Sequence, residues 1–136
     1  MDVGIFGLGY VGTVMAASLA RAGHRVVGVD LRWDRVEDVA RGTCPIVEPG
    51  LEVVFAEAVA SGRLVARSDP AEALEKSAIS FVCVGTPSQE DGGRDVRAVL
   101  EVCRQIGRAL RGRKGPHVVA IRSTVPPGTW RSARVA

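Results

Sequence analysis

Short continuous runs of apolar residues alternate along this chain with segments whose apolar residues recur every three to four positions. The recurring segments predict amphipathic helices over residues 11–22, 34–40, 51–60, 70–76 and 95–110. The continuous runs predict buried strands over residues 3–6, 26–29, 64–66, 79–84 and 117–121. Runs rich in Val and Ile, without polar alternation, are typical of parallel strands covered on both faces. The pattern therefore predicts an α/β fold with a doubly wound parallel sheet, in a single domain over residues 1–136.

Turn and cap residues set several of the predicted helix ends. Gly23 follows the first helix at the position where a glycine commonly ends one. Asp34 is predicted to cap the second helix, and Asp69 to cap the fourth, with Pro70 at its first position. Residues 85–94 and 122–129 contain Gly, Pro and polar residues and are predicted to be loops.

The composition fits a globular domain and argues against several classes of function. With 136 residues, of which 46% are hydrophobic and 24% charged, the chain is long and apolar enough to bury one core. The net charge of +3 comes from scattered arginines and not from a basic stripe, so no nucleic-acid partner is expected. No apolar run approaches the roughly 20 residues of a membrane span, and no signal peptide is recognised. We therefore expect a cytoplasmic protein without a membrane partner.

The cysteines do not form a metal-binding or disulfide pattern. Cys44, Cys83 and Cys103 are odd in number, lack CxxC spacing and have no histidine close by in sequence. We expect three reduced thiols and no metal site, as in a protein of a reducing compartment.

Three glycines form a GxGxxG motif between the first strand and the first helix. Gly7 allows the tight turn, Gly9 lets a pyrophosphate approach the backbone, and Gly12 lets the helix pack closely on the strand. The N–H groups at the helix N-terminus can then bind the phosphates. The motif alone is common, and a glycine-rich turn without a ligand is the alternative. Because an acidic residue, Asp30, ends the second strand 18 residues after Gly12, the pattern predicts a Rossmann-type dinucleotide site.

Asp30 is the candidate for choosing between the two nicotinamide cofactors. Its carboxylate can accept hydrogen bonds from the adenosine ribose and repels a 2′-phosphate, which favours NAD over NADP. Arg32 and Arg35 argue the other way, since a nearby arginine can hold a 2′-phosphate. We give the carboxylate more weight because an exposed arginine is often only solvated. A turn residue is the alternative interpretation of Asp30.

Two threonines follow predicted strands at the edge where doubly wound sheets bind ligands. Thr86 follows the strand over residues 79–84, and Thr124 follows the strand over residues 117–121. Each hydroxyl could contact the cofactor, or could cap a helix or turn, and position alone leaves both roles open.

Together these motifs resemble the N-terminal, NAD-binding part of the UDP-glucose/GDP-mannose dehydrogenase family. The resemblance runs in order from residue 1 to about residue 129, and the VGTP and STVPPGT loops are more specific than the glycine motif. The sequence over residues 46–51 favours the GDP-mannose branch, because UDP-glucose enzymes more often have an aromatic residue where Val47 stands. The matching segments are residues 5–12, 28–30, 45–51, 62–64, 81–87 and 122–129.

The resemblance implies a reaction that this chain does not complete alone. Such enzymes oxidise the C6 alcohol of a nucleotide sugar to a carboxylate by two hydride transfers to NAD, using a cysteine nucleophile in a later domain. None of the three cysteines falls in that motif. We therefore expect the substrate and catalytic domains to lie beyond residue 136, the fragment to be inactive alone, and the full-length family to be homo-oligomeric with a nucleotide sugar as its substrate.

The resemblance also implies cofactor-binding positions. Tyr10 and Val11 would lie under the pyrophosphate of NAD. Asp30 would hold the adenosine ribose, and Arg35, where the family usually has lysine, would serve the same end. Thr86 and Thr124 would line the cofactor site. With Gly7, Gly9 and Gly12 these residues make up the predicted site.

Two other functions remain open at this point. One is a non-catalytic module that binds NAD for regulation. The other is a related β-hydroxyacid dehydrogenase, whose N-terminal half begins with a similar glycine motif. The long segment over residues 48–64 and the VGTP loop argue against the second.

Overall fold

One parallel sheet organises the chain. The computed structural model describes residues 1–90 and 92–134, so Asp91 of the predicted loop and the last two residues lie outside it. The described strands are β1 (Asp2–Phe6), β2 (Arg25–Val29), β3 (Leu64–Arg67), β4 (Ile79–Val82) and β5 (Val118–Ile121). They are joined in the order β3-β2-β1-β4-β5, and every neighbouring pair is parallel. The predicted parallel sheet is therefore confirmed.

Helices follow each of the strands. Five of the described helices lie close to their predicted bounds. The sixth, α6, was not predicted, and it begins at the last residue of the predicted loop over residues 122–129. None of the helices in the described ranges is both long enough and apolar enough to cross a bilayer. The helices are α1 (Tyr10–Arg21), α2 (Trp33–Ala40), α3 (Leu51–Ala60), α4 (Pro70–Leu74), α5 (Arg97–Ala109) and α6 (Thr129–Arg134).

Helices cover the sheet on both faces, as strand β1 shows. Val3 and Ile5 point into one apolar layer, where they share a buried cluster with Ala16 of α1 and Phe55 of α3. Phe6 belongs to a second buried cluster, to which α4 and α5 contribute. Alternate residues of a strand point to opposite faces, so two layers of helices give the doubly wound architecture that was predicted.

One predicted helix cap is confirmed and another was wrong. The Asp69 carboxylate accepts the Ala71 backbone N–H at 2.9 Å and caps α4. In α2 the cap position belongs to Arg32, whose ψ of 107° is extended, and Asp34 lies inside the first turn. An acidic residue is favourable in the first turn as well as at the cap, because the positive end of the helix dipole attracts it in both places.

The last two strands differ from their prediction. Strand β4 ends at Val82, so residues 83 and 84 belong to the following loop. Strand β5 lies at one end of the sheet, and Val118 and Val119 are 55% and 39% exposed. The prediction of a fully buried strand was therefore wrong for β5. Its apolar residues resemble those of a central strand, but only β4 pairs with it in the described structure.

The strand order places a crevice at β1. Strand β1 lies between β2 and β4. The direction in which the chain winds across the sheet therefore reverses between β1 and β4. Ligands of doubly wound sheets bind at such a reversal, outside the carboxyl ends of the strands. The residues that directly follow β1, β2 and β4 are Gly7, Asp30 and Cys83.

Candidate functional site

A cavity of about 400 Å³ opens at the carboxyl ends of β1, β2 and β4. The glycine turn contributes Gly7 and Gly9 to its lining, and the end of β2 contributes Asp30. Helix α5 forms the opposite wall, with Glu101 and Gln105. A larger cavity, of about 520 Å³, lies between α1 and α3 and is lined by none of these residues. The cavity at the strand ends is the candidate site, because it coincides with the winding reversal.

The three motif glycines have different surroundings. Gly7 has φ of 99°, and a Cβ there would lie 3.0 Å from the Cys83 carbonyl carbon and oxygen. A Cβ on Gly12 would lie only 1.8 Å from the Gly7 carbonyl oxygen. A Cβ on Gly9 would meet only Nη1 of Arg35, at 4.0 Å. Gly7 and Gly12 are therefore required by the protein itself, whereas Gly9 leaves its backbone open to the cavity.

The N-terminus of α1 is available to an anion. Gly9 is its cap residue, with extended backbone angles, and no side chain accepts a hydrogen bond from the first turn at this cap. The first turn also contains no acidic residue. The first N–H groups of a helix lack partners within the helix and carry partial positive charge. This end of α1 therefore has the donors and the charge that suit a phosphate.

Asp30 is buried and accepts three hydrogen bonds from the protein. Its Oδ2 accepts the Leu8 backbone N–H at 2.7 Å and Nη1 of Arg35 at 3.1 Å. Its Oδ1 accepts the Arg32 backbone N–H at 2.9 Å. The carboxylate thus ties the glycine turn to the start of α2. A carboxylate offers about four acceptor positions, so a ligand that uses both oxygens competes with one of these donors.

Tyr10 and Val11 begin α1 with exposed side chains. The Tyr10 hydroxyl donates a hydrogen bond to the Glu48 carboxylate, which lies in the loop before α3. This hydrogen bond raises the pKa of Tyr10 above its ordinary value. Because the Tyr10 side chain is directed to that loop, any contribution of Tyr10 to a phosphate site comes from its backbone N–H.

Thr86 and Thr124 are brought together, beside the cavity and not in its lining. The Thr86 hydroxyl donates to the Thr124 carbonyl oxygen at 2.8 Å. The Ser123 hydroxyl donates to the Val84 carbonyl oxygen at 2.7 Å and fastens the same two loops. The loop after β4 and the loop after β5 therefore act as one unit at the rim of the crevice.

Several residues of the cavity lining were missed by the motif search. Leu31 is 80% exposed although it is apolar, and it borders the cavity next to Asp30. Ala98, Glu101 and Gln105 line the cavity from α5. The signal for the α5 residues is topological, because α5 follows β4 and β4 lies beside β1.

The three free cysteines are expected to differ in reactivity. Burial raises the pKa of the Cys83 thiol, in the cavity wall, to about 11, and burial also raises the pKa of Cys103. Burial raises the pKa of Cys44 as well, but Cys44 is the least buried of the three and the most accessible to a reagent. Since the thiolate is the reactive form, iodoacetamide at neutral pH should label Cys44 first, and the other two only after unfolding. Peptide mass spectrometry measures the order, and equal labelling of Cys83 and Cys44 in the folded chain would contradict it.

Comparison with known proteins gives the family. The profile of the NAD binding domain of the UDP-glucose/GDP-mannose dehydrogenase family matches residues 1–135. The chain belongs to this family. A GDP-mannose 6-dehydrogenase from Pseudomonas putida is 46% identical over 132 residues, which are 97% of this chain and 30% of that protein. A UDP-glucose 6-dehydrogenase from Pseudomonas aeruginosa is 40% identical over 129 residues, 95% of this chain and 28% of that protein.

Solved structures of the family have the same fold as this chain. A ternary complex of GDP-mannose dehydrogenase from Pseudomonas aeruginosa superimposes with a TM-score of 0.93 at 45% identity, covering 96% of this chain and 30% of that one. A UDP-glucose dehydrogenase from Pyrobaculum islandicum gives 0.91 at 40% identity, covering 98% and 32%. The chain spans about 30% of the length of the curated relatives it matches. It corresponds to the NAD-binding domain of the family, and NAD is its cofactor.

Proposed function

We propose that this chain is the cofactor-binding part of a nucleotide-sugar 6-dehydrogenase that oxidises GDP-mannose. The family supports the reaction class. The higher identity to the Pseudomonas putida GDP-mannose enzyme than to the Pseudomonas aeruginosa UDP-glucose enzyme, together with Val47, supports the sugar. NAD would accept the hydride. The residues of this chain would bind and orient NAD, and the catalytic cysteine and the sugar site would belong to domains outside this chain.

One observation carries the proposal: the cavity joins an anion site to a carboxylate. Gly9, with its open backbone at the uncapped N-terminus of α1, and Asp30 both line it. A dinucleotide needs both features, one for the pyrophosphate and one for the ribose hydroxyls. We assign the pyrophosphate to Gly9 and the backbone N–H groups of Tyr10 and Val11.

The two ends of the cofactor are assigned to opposite ends of the crevice. Asp30 and Arg35 would meet the adenosine ribose, with Leu31 against the adenine. Thr86 and Thr124 would contact the nicotinamide end, and the hydrogen bond from the Thr86 hydroxyl to the Thr124 carbonyl oxygen, beside the cavity, supports a shared role for them. Gly7 and Gly12 would shape the turn without touching the ligand.

Isothermal titration calorimetry of the 136-residue chain with NAD tests the proposal. We expect saturable binding, and we expect Gly9→Ala to abolish it, because the new methyl group enters the space through which the pyrophosphate approaches. The variant should stay folded, since its Cβ meets only the end of the Arg35 side chain. A folded wild-type chain that takes up no NAD would overturn the proposal, and so would undiminished binding by Gly9→Ala.

A further inference from the structure

A separate cavity, of about 200 Å³, lies at the amino ends of β1, β2 and β3, and we call it the amino-edge cavity. Parallel strands have their amino ends at one edge of a sheet, so it lies opposite the candidate cofactor site, about 15 Å away along a strand. Among the described residues, the two cavities share no lining residue. Its volume is below the roughly 300–1,000 Å³ of sites for drug-sized ligands, and it suits a small ion.

The charged side chains of the amino-edge cavity include two cations that are available to a ligand. Both acids of the lining are held by arginines, Asp2 by Arg25 at 2.8 Å and Glu72 by an arginine of β3, also at 2.8 Å. Arg63 and Lys76 line the cavity too, and neither has an ion pair within the part of the chain that the structure describes. The cavity therefore has two cations that an anion can pair with.

Ser77 adds a buried hydroxyl to the same lining. The residue is 1% exposed, and its Oγ has no hydrogen-bond partner among the described residues. Its backbone carbonyl oxygen, by contrast, accepts Nη2 of Arg113 at 2.7 Å and Nδ1 of His117 at 3.1 Å. Buried hydroxyl groups are nearly always hydrogen-bonded, and an unpaired one destabilises a protein. A ligand oxygen in this cavity would give the hydroxyl an acceptor.

We propose that the amino-edge cavity binds a phosphate group, free or as a phosphomonoester, independently of the cofactor. Lys76 supplies a point charge, and the Arg63 guanidinium supplies paired N–H donors of the kind that match phosphate oxygens. The Ser77 hydroxyl donates to a third oxygen. Two cations and a hydroxyl suit a dianion better than a singly charged ligand. Val27 and Val65 also line the cavity and would contact the carbon part of an ester.

Titration of the isotope-labelled chain with sodium phosphate, followed by its amide NMR signals, tests the proposal. We expect saturable shifts at Lys76 and Ser77, and an affinity about tenfold lower in Lys76→Gln and in Arg63→Gln, as for one hydrogen bond to a charged group. Arg108→Gln is the matched control, because it removes an exposed α5 cation that has no ion pair in the described ranges and lines a different cavity. The control should bind within twofold of wild type. Ionic strength is held constant because salt screens exposed charges.

Ser77→Ala distinguishes a binding role from a structural one. Its hydroxyl has no partner to lose, so the urea midpoint of the phosphate-free chain should not fall. The affinity for phosphate should fall by about fivefold, as for one lost hydrogen bond. A lower urea midpoint with unchanged phosphate affinity would show a structural hydroxyl and overturn its assignment to the site. If Ser77→Ala does not fold, Lys76→Gln and Arg63→Gln decide.

Three results would overturn the proposal as a whole. Shifts confined to the amides of Gly9 and Tyr10 would assign phosphate to the N-terminus of α1 alone. Shifts at Lys76 that do not saturate, or that chloride reproduces at equal ionic strength, would show only charge screening. Equal losses in Lys76→Gln and Arg108→Gln would show an effect of net charge. Methyl phosphate then identifies the source, because tighter binding than inorganic phosphate favours an ester and weaker binding favours the free ion.

Discussion

Replacing Gly12 by alanine is expected to lower the free energy of unfolding by about 3 kcal/mol or more, at the upper end for overpacking. The Cβ would lie 1.8 Å from the Gly7 carbonyl oxygen and 2.9 Å from its carbonyl carbon. Both are backbone atoms of a turn that also packs on Cys83, so neither can rotate away. Helix α1 would have to move off β1, and buried residues such as Ala16 and Ala17 would lose their contacts.

Urea unfolding followed by circular dichroism measures this effect, and Gly9→Ala is the matched control. Its Cβ meets only Nη1 of Arg35 at 4.0 Å, and its φ of −73° suits alanine. We expect Gly9→Ala to stay within about 0.5 kcal/mol of wild type, as for an unstrained surface position. Equal midpoints for Gly12→Ala and wild type would contradict the close packing of α1 on the glycine turn. The pair separates a glycine required by the fold from one required by the ligand.

The helices and strands could be predicted because each has its own local pattern of apolar residues in the sequence. A strand covered on both faces is a continuous apolar run, and an amphipathic helix has its own period. The position of a strand within the sheet, central or at an end, has no such local pattern. The apolar run that ends at Ile121 is like that of β1, and only the order of the strands shows that β5 lies at an end, with Val118 and Val119 exposed.

Positions of the candidate site that require one residue type could be predicted from the sequence. Positions that contribute only a backbone N–H group could not. Gly7 and Gly12 could be assigned because no other residue fits there. The N–H groups of Leu8 and Arg32 that hold Asp30 have no residue signature, since any amino acid except proline supplies them. The contact of Tyr10 with Glu48 joins positions 38 residues apart, and helical or strand spacing cannot foresee it.

Replacing Asp30 by alanine is expected to weaken both the fold and the binding of NAD. Leu8 N–H is buried at this contact and would lose its acceptor, and Arg35 would lose its partner. Leaving a buried donor unpaired costs about 1–3 kcal/mol, so we expect a loss of about 2 kcal/mol in the free energy of unfolding. The ribose would also lose hydrogen bonds to a charged acceptor, worth about 1.5–3 kcal/mol of binding.

The two effects are separated by measuring urea unfolding without ligand and NAD binding well below the melting temperature. Asp34→Ala is the matched control, because it removes an equal charge from an exposed carboxylate outside the cavity lining, paired with Arg32. For the control we expect unchanged NAD binding and a loss of at most about 1 kcal/mol in the free energy of unfolding, because Asp34 lies in the first turn of α2. If Asp30→Ala is as stable as wild type but binds no NAD, the carboxylate serves recognition alone and does not hold the glycine turn. If it is destabilised but binds NAD as wild type does, the ribose assignment fails. If Asp30→Ala lowers both the free energy of unfolding and the affinity for NAD, one buried acid holds the glycine turn and also binds the ribose beside it.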